Sequence, residues 1–196
     1  MKSVLISIRP KWCEKIASGE KTIEVRKTRP KLQTPFRVYI YRTKGTVPHI
    51  INGKWVQMEV GGTVIGEFTC DRIYGLAPLN HAPDDVEQQA CLTREEIVRY
   101  LKGVGYGWHI SDLKIYDKPK ELGDFWSYNE ALHKRYDAET DFCCYDAANE
   151  YGEALTDCGD AYNDILNCYR CWNEWSGWCH RIKRPPQSWC YVEELK

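Results

Sequence analysis

The sequence predicts an α+β fold: a small mixed β-barrel with helices at its rim and an irregular, cysteine-rich insertion. Short strand patterns recur between turn signals from residue 3 to residue 71 and again over residues 110–116. Only two segments have a helical pattern, and a last strand pattern follows the acidic, cysteine-rich stretch 121–180. Several short strands, two helices and a closing C-terminal strand are typical of a small barrel with rim helices.

The first thirty residues predict a strand, a helix and a second strand. Val4, Ile6 and Ile8 alternate with smaller or opposite-facing residues, as in a mostly buried strand. Pro10 suits a first helical position, because its missing N–H would have no helical partner there. Gly19 tolerates a left-handed backbone and predicts the helix end. This segment organises the rest of the predicted fold.

The second strand has one apolar and one polar face. Ile23 and Val25 point one way, whereas Thr22, Glu24 and Arg26 point the other, with Lys21 just before the strand. Covering such charged side chains is costly, so this face is the first candidate for a functional site.

The remaining elements follow in chain order. Residues 37–41 predict a strand, residues 49–60 a hairpin that turns at Asn52-Gly53, and residues 63–71 a further strand. Residues 76–91 are loop-like. Thr93 and Glu96 have the spacing of a capping box before a helix over residues 94–101. A strand then ends before Pro119, and the final strand covers residues 188–192.

Bulk properties indicate one globular domain. The chain has 196 residues, 43% hydrophobic and 28% charged, which can bury one substantial core. We interpret residues 1–196 as a single domain and residues 121–180 as an insertion between its last two strands. No apolar run has the length of a membrane span, and Met1 leads directly into a strand, so we expect no membrane association and a cytoplasmic location.

Charge is distributed unevenly, although the net charge is only −1. Residues 1–46 contain 12 Lys or Arg and 3 Glu, whereas residues 121–164 contain 12 Asp or Glu and 2 Lys or Arg. The pattern suggests a polarised surface, and solvated charge that merely clusters is the alternative. The low net charge argues against strong, indiscriminate phosphate binding.

Four polar residues on two strands form the first candidate site: Lys21, Glu24, Arg26 and Glu67. If the polar faces of both strands meet in one cleft, the carboxylates and the lysine would shift one another's pKa values, as in an acid–base pair. Arg26 offers a bidentate contact to a phosphate or carboxylate. The alternative is a salt-bridged strand surface without a ligand.

Aromatic and amide side chains form the second candidate. Tyr41, Trp108 and Trp189 offer faces on which a base stacks, and Gln187 and Ser188 offer groups that read a base edge. For each aromatic residue, burial in the core is the alternative.

His109 is either a hydrogen-bond donor to a ligand or the partner of a loop carbonyl.

The insertion carries the third candidate, a structural zinc site. Cys168 and Cys171 have the spacing of half a zinc knuckle, and Cys158 and Cys179 would complete it, with Cys143 and Cys144 as alternatives. A segment so acidic and poor in aliphatic residues buries little core, which favours a metal. Reduced, buried thiols are the alternative.

Several motifs resemble the activating-signal-cointegrator homology (ASCH) family, whose fold is similar to the RNA-binding PUA domain. They are SIRPKWCEKIASGEKTIEVRKTRP (7–30), VYIYRT (38–43), VIGEFTCDRIYGL (64–76), GWHISDLKIYDKP (107–119) and RPPQSWCYVEE (184–194). They occur in the family's order and span about two thirds of the chain; the insertion has no counterpart. The resemblance implies a PUA-like barrel.

The resemblance also implies a function: binding of RNA or a modified nucleoside in a cleft. Lys21, Arg26 and Arg9 would meet phosphate or a polar base edge, while Glu24 and Glu67 would accept from exocyclic amines. Some small members resemble amidohydrolases that deacylate acylated cytidine with a Lys, a Thr nucleophile and a Glu. Lys21 and Glu67 match two of these residues, but Glu24 occupies the nucleophile's position.

A carboxylate is not the usual hydroxyl nucleophile, which argues against amide hydrolysis unless Glu24 activates a water. Two further functions fit the sequence: a nuclease that uses Lys21 and a nearby tyrosine, and a protein-interaction module that acts through the acidic insertion.

Overall fold

A computed structural model describes residues 2–76, 82–128 and 181–195. The chain divides into two compact units. The first comprises Met1–Leu122 with Arg184–Lys196, and the second comprises Gly123–Lys183. The interpretation of the chain as one domain with an insertion stays a prediction.

Strands dominate the described residues, as the α+β prediction required. The elements are, in chain order, β1 (Lys2–Ile8), α1 (Pro10–Ala17), β2 (Ile23–Arg26), β3 (Phe36–Arg42), β4 (Gly45–Ile51), β5 (Lys54–Val60), β6 (Thr63–Cys70), β7 (Ile73–Gly75), α2 (Val86–Ala90), α3 (Arg94–Leu101), β8 (Tyr106–His109), β9 (Ser111–Lys120), a 3-10 turn (Leu122–Asp124) and β10 (Trp189–Glu193).

The strands form three sheets, with the orders β10-β1-β3-β6-β9, β2-β8-β7 and β4-β5. In the five-stranded sheet β1 is parallel to β3, and the other neighbouring pairs are antiparallel. The expectation of a closed barrel is wrong: the described sheets remain open. Closure requires every strand to pair on both sides, but β2 pairs with β8 instead of β1, and β4 pairs with β5.

Two apolar clusters hold the first unit together. The larger lies between one face of the five-stranded sheet and α1, and its fully buried members include Val4, Ile6 and Ile16. The smaller joins the apolar face of β2, represented by Ile23, to α2 and α3. Strand β2 therefore lies between the two clusters.

Local sequence signals correctly predicted several elements. Pro10 begins α1, and Gly19 follows it with a φ of 79°. Asn52 and Gly53 both have positive φ in the turn between β4 and β5. The hydroxyl of Thr93 accepts from the Glu96 amide, and the Glu96 carboxylate accepts from the Thr93 amide, which completes the capping box of α3.

Two segments differ from the sequence-based expectation. The stretch 76–91 is not entirely loop, because α2 forms within it and packs Val86 and Ala90 into the smaller cluster. Strand β9 continues through Pro119. It lies at the edge of its sheet, where a residue without an N–H group is tolerated.

The β4–β5 hairpin exposes several apolar side chains: Ile50, Ile51, Trp55, Val56 and Met58. Each strand of this hairpin pairs only with the other among the described strands. None of the helices within residues 2–76, 82–128 and 181–195 has both the length and the apolar character of a membrane span.

The described residues of the second unit form a short bridge. Trp126 pairs with Arg181, and the amide of Ile182 donates to the Phe125 carbonyl at 2.8 Å. The guanidinium carbon of Arg181 lies 5.1 Å from the centre of the Trp126 ring. All the cysteines predicted as zinc ligands lie outside the described residues.

Candidate functional site

Strand β2 presents its two faces to different environments. Ile23 and Val25 pack into the smaller apolar cluster with α2 and α3. Glu24 and Arg26 lie on the opposite face, as the alternation predicted. Both are buried, although they carry charge. The strand thus holds charged side chains in an interior position.

Glu24 lies between two cations. Its Oε1 is 3.0 Å from Nη2 of Arg26, and its Oε2 is 3.5 Å from Nζ of Lys21. All three side chains are more than nine-tenths buried. Removing charges from water is costly, so each member depends on the others for compensation. We call Lys21, Glu24 and Arg26 the charged triad.

Lys21 is held by several groups. Its Nζ donates to the Ala90 carbonyl at 2.7 Å, at the end of α2, and lies 5.1 Å from the centre of the Trp12 ring. Burial lowers the pKa of the Lys21 ammonium, and the charge of Glu24 opposes this shift. A buried amine beside a carboxylate is a recurrent feature of functional sites.

Arg26 connects the triad to the N- and C-terminal strands. Its Nη2 donates to the Ser7 carbonyl at 2.6 Å, and its Nη1 to Oγ of Ser188 at 3.4 Å. Within the described part of the chain its Nε–H has no hydrogen-bond partner. A buried donor without a partner costs free energy, so this group adds to the cost of burying the triad.

A cavity of about 660 Å³ adjoins the triad. Its lining residues are Ser7, Ile8, Arg9, Trp12, Lys21, Glu24, Val25, Arg26, Thr43, Leu92, Tyr100, Pro185, Pro186 and Gln187. The lining has three cationic side chains and two carboxyl oxygens of a single glutamate, so it favours a ligand with anionic or acceptor groups.

One wall of the cavity comes from the segment before β10. The Ser7 hydroxyl donates to the Pro186 carbonyl at 2.6 Å, and the Ser7 amide donates to the Ser188 carbonyl at 2.9 Å. These bonds fix the segment across the end of β1 and place Gln187 in the lining.

The structure brings five of the predicted site residues to this cavity: Arg9, Lys21, Glu24, Arg26 and Gln187. Ser188 is not part of this lining, but its hydroxyl accepts from Arg26. The other predicted residues lie elsewhere, each for a physical reason.

Glu67 does not share the cleft with Glu24. It lies on β6 opposite Tyr39, and its carboxylate accepts from Arg37 Nη1 at 3.0 Å and from the Tyr116 hydroxyl at 2.6 Å. Burial, followed by the hydrogen bond to Glu67, raises the pKa of Tyr116. The two polar strand faces do not converge, because β2 and β6 belong to different sheets.

The predicted stacking residues do not line the cavity. Trp108 is 0% exposed and packs against Phe36 and Trp189, at ring distances of 5.9 and 6.1 Å. Tyr41 is 4% exposed. The Trp189 indole donates to the Thr28 hydroxyl at 3.0 Å. Stacking on a ligand does not fit the burial of Trp108 and Tyr41, for which the core alternative applies.

His109 pairs with a carboxylate. Its Nδ1 lies 2.6 Å from Oδ1 of Asp71, and its backbone amide donates to the Arg72 carbonyl at 3.0 Å. Burial tends to raise the pKa of Asp71, but the hydrogen bond and charge of His109 lower it overall. His109 is therefore engaged away from the cavity lining.

Two aromatic residues line the cavity that the sequence did not single out as ligand contacts. Trp12 is half-buried on α1, and Tyr100 lies on α3 with 43% of its surface exposed. A tryptophan flanked by lysines at 11 and 15 on a short helix was a weak signal, since the same position fits core packing equally well.

No group of three or more His, Cys, Asp or Glu residues suited to a metal occurs within residues 2–76, 82–128 and 181–195. The predicted zinc ligands lie beyond those ranges, and the zinc site stays a prediction.

The comparisons with known proteins agree with the motifs and the fold. A model of the ASCH domain matches residues 6–147. Three crystal structures of an ASCH protein from Zymomonas mobilis, the native protein and two single-residue mutants, each share 16% identity with this chain at a TM-score of 0.52. They cover 98% or 99% of this chain and 88% to 92% of their own. None of the curated proteins matches the chain. Similarity at this identity concerns the fold alone; with the domain match over most of the sequence, the chain belongs to the ASCH domain family.

Proposed function

We propose that the cavity beside the charged triad binds a nucleoside unit, free and modified or at the end of an RNA strand. The observation that carries this proposal is the burial of Lys21, Glu24 and Arg26 at the wall of a cavity of about 660 Å³. Buried charge that serves only stability is often replaceable by apolar packing. Charge that faces a cavity is better explained by a polar ligand.

The polar contacts match a nucleoside. The guanidinium groups of Arg9 and Arg26, which line the cavity, offer donors to a base carbonyl or a phosphate. Each carboxylate oxygen of Glu24 accepts more than one hydrogen bond, so it can still accept from an exocyclic amine. Gln187 offers both a donor and an acceptor to a base edge.

The apolar contacts come from Trp12 and Tyr100, in place of the aromatic residues predicted from sequence. A base stacked on an aromatic ring gains about 1–3 kcal/mol. The cation-lined wall and these rings together suit a base attached to a sugar or phosphate better than a purely apolar ligand.

An amidohydrolase is the second candidate, and two observations weigh against it. Glu67 matches the family's catalytic glutamate, but its carboxylate accepts hydrogen bonds from Arg37 and Tyr116. Glu67 also does not line the cavity. Thr22, the hydroxyl nearest in sequence to the nucleophile's position, donates to the Gln89 side chain at 3.2 Å. We therefore favour binding without deacylation.

Isothermal titration with a nucleoside panel, including cytidine and acylated cytidine, and with a short single-stranded RNA tests the proposal. Arg26→Gln and Trp12→Ala should weaken binding at least 10-fold, because each removes a donor or a stacking face. Arg94→Gln, on the solvent side of α3, is the matched control and should bind as the native protein does.

Absence of binding to every member of the panel at low salt would refute the proposed function. The same mixtures, analysed by chromatography, report hydrolysis. Turnover of acylated cytidine that disappears in Lys21→Ala, or RNA cleavage that does so, would favour an enzyme instead. A gain of deacylation in Glu24→Thr would indicate that the nucleophile alone is missing.

A further inference from the structure

The loop between β2 and β3 carries three exposed cations next to the cavity. Lys27, Arg29 and Lys31 occupy alternate positions immediately after Arg26 and are exposed. Within the described ranges, no carboxylate forms a salt bridge with any of them. Three like charges within five residues create a local positive potential that attracts an anion from solution.

This loop is fixed to the body of the first unit. The Thr28 hydroxyl accepts from the Trp189 indole at 3.0 Å, and the Lys31 amide donates to the Tyr191 hydroxyl at 2.7 Å. Pro30 is buried between them. The anchored loop presents its charges with little further loss of conformational entropy on binding.

Two of the cations rest on aromatic rings. Nζ of Lys27 lies 5.3 Å from the centre of the Tyr100 ring, and Cζ of Arg29 lies 5.5 Å from that of Tyr106. Tyr100 also lines the cavity, so Lys27 stands at its rim. The rings orient the cationic side chains without neutralising their charge.

Part of this loop lines a second concave region. It has a volume of about 650 Å³ and is lined by Arg29, Lys31, Leu32, Gln33, Thr34 and Ile73. The loop thus begins directly after Arg26, which lines the triad's cavity, and itself lines a second basic depression. Two residues of chain span at most about 7 Å, so the three cations lie close enough to contact successive phosphates of one strand.

We propose that residues 27–34 form a track for the phosphodiester backbone of a single-stranded nucleic acid whose terminal or flipped nucleoside occupies the triad's cavity. This inference rests on the proposed function and extends it from a single nucleoside to a polymer. Phosphate contacts supply salt-dependent affinity, and the cavity supplies recognition of one base.

Fluorescence anisotropy with a labelled ten-nucleotide single-stranded RNA tests the track across a series of salt concentrations. The variant Lys27→Ala/Arg29→Ala/Lys31→Ala is compared with Lys54→Ala/Lys114→Ala/Lys118→Ala, which removes the same charge from the β4–β5 hairpin and from β9. Each phosphate contact to a single strand adds about 0.7 to the slope of log affinity against log salt.

The loop variant should therefore lose about 2 from that slope and bind the RNA about 10-fold more weakly or worse at low salt. Its affinity for a single uncharged nucleoside should fall much less than its affinity for the RNA, because none of the three side chains lines the triad's cavity. The control variant should retain the native slope. A single-stranded DNA of the same length should also show the loss, because its phosphates are the same.

Native-like RNA affinity and slope in the loop variant, or an equal loss in the control variant, would overturn the track. If the native protein binds single nucleosides but gains nothing from a longer strand, the track fails and the cavity proposal stands. If it binds neither nucleosides nor RNA, both proposals fail.

Discussion

Glu24 and Arg26 are two residues apart on a four-residue strand, and their carboxylate and guanidinium groups lie 3.0 Å apart in the interior. Side chains at such positions share one face of a strand. Lys21, two residues before the start of β2, contacts the same carboxylate. One short segment therefore supplies a buried triad with two cations and one anion.

We predict that neutralising Glu24, the anion of the triad, lowers the free energy of unfolding substantially. Glu24→Gln leaves Lys21 and Arg26 without a buried carboxylate, and breaking a buried ion pair in this way typically costs about 3–5 kcal/mol. Urea denaturation should show a loss of that order in the free energy of unfolding.

Glu20→Gln is the matched control for this measurement. Glu20 also pairs with a lysine, Lys15, at 2.7 Å, but both side chains are solvent-accessible. Solvent screens exposed pairs, so this variant should lose much less stability than Glu24→Gln. Equal losses in the two variants would contradict the assignment of Glu24 to a buried triad.

Because Lys21 is buried, we predict that the free energy of unfolding depends on pH in the alkaline range. Burial lowers its pKa in the folded protein below the ordinary value of 10.5. Between those two values the unfolded chain holds a proton that the folded chain has released, so stability contributed by this group rises with pH there. Below both values the contribution is constant and unfavourable.

Chemical denaturation of the native protein and of Lys21→Met, measured from neutral pH to pH 10, checks this. The stability of the native protein relative to the variant should increase toward the alkaline end. Two parallel curves would show that Lys21 has an ordinary pKa in the fold.

The described cysteines should react with a thiol-specific reagent at different rates. Burial raises the pKa of Cys13 and of Cys70 to about 12 and that of Cys190 to about 11, so these thiols are neutral near pH 8. Cys91 is partly buried at the end of α2. Because the thiolate is the nucleophile, the three thiols with raised pKa values should react slowly.

Brief treatment with iodoacetamide followed by peptide mapping measures each site separately. We expect Cys91 to be modified well before Cys13 and Cys70, and urea-unfolded protein to lose the difference. Faster modification of Cys13 than of Cys91 in the folded protein would contradict the burial of the α1 face.

The zinc site of the insertion is the remaining prediction from sequence. If Cys168 and Cys171 bind a structural zinc with two of the remaining candidate cysteines, protein purified without chelator should contain about one equivalent of metal. Thiolates must be deprotonated to bind, so acid or a chelator should release it.

Elemental analysis of the native protein and of Cys168→Ser settles this. The variant should lose most of the metal, whereas Cys13→Ser should retain it, because Cys13 packs within the apolar cluster of α1. Less than about a tenth of an equivalent in the native protein would refute the site.

Predictions from sequence were correct where interactions between residues close in the chain determine the structure. The alternation in β1 and β2, the Asn52-Gly53 turn and the capping box at Thr93 depend on backbone preferences within a few residues. Period-two alternation alone indicated that Glu24 and Arg26 would share a face opposite Val25. The charged half of the cavity was therefore readable from residues 21–26.

Signals failed where two distant strands had to be placed relative to each other. Glu67 has a polar pattern as clear as that of Glu24, yet its strand lies in another sheet, where Arg37 and Tyr116 complete its hydrogen bonds. Trp108 is of a residue type that stacks on bases, which is why it was predicted as a ligand contact. However, β8 pairs with β2, and the ring of Trp108 lies in the core. Hydrogen-bond pairing between strands decides such outcomes, and a single strand does not encode its neighbour.

The sequence by itself determined the elements, the charged face of β2 and the family motifs, because these depend on local periodicity and residue chemistry. Only the tertiary structure decided that the described sheets stay open and that Trp12, Tyr100 and Gln187 line one cavity with the triad. It also decided that α2 supplies the carbonyl that holds Lys21. Some of those contacts join residues from opposite ends of the chain. They form only when burial of the two apolar clusters brings the segments together.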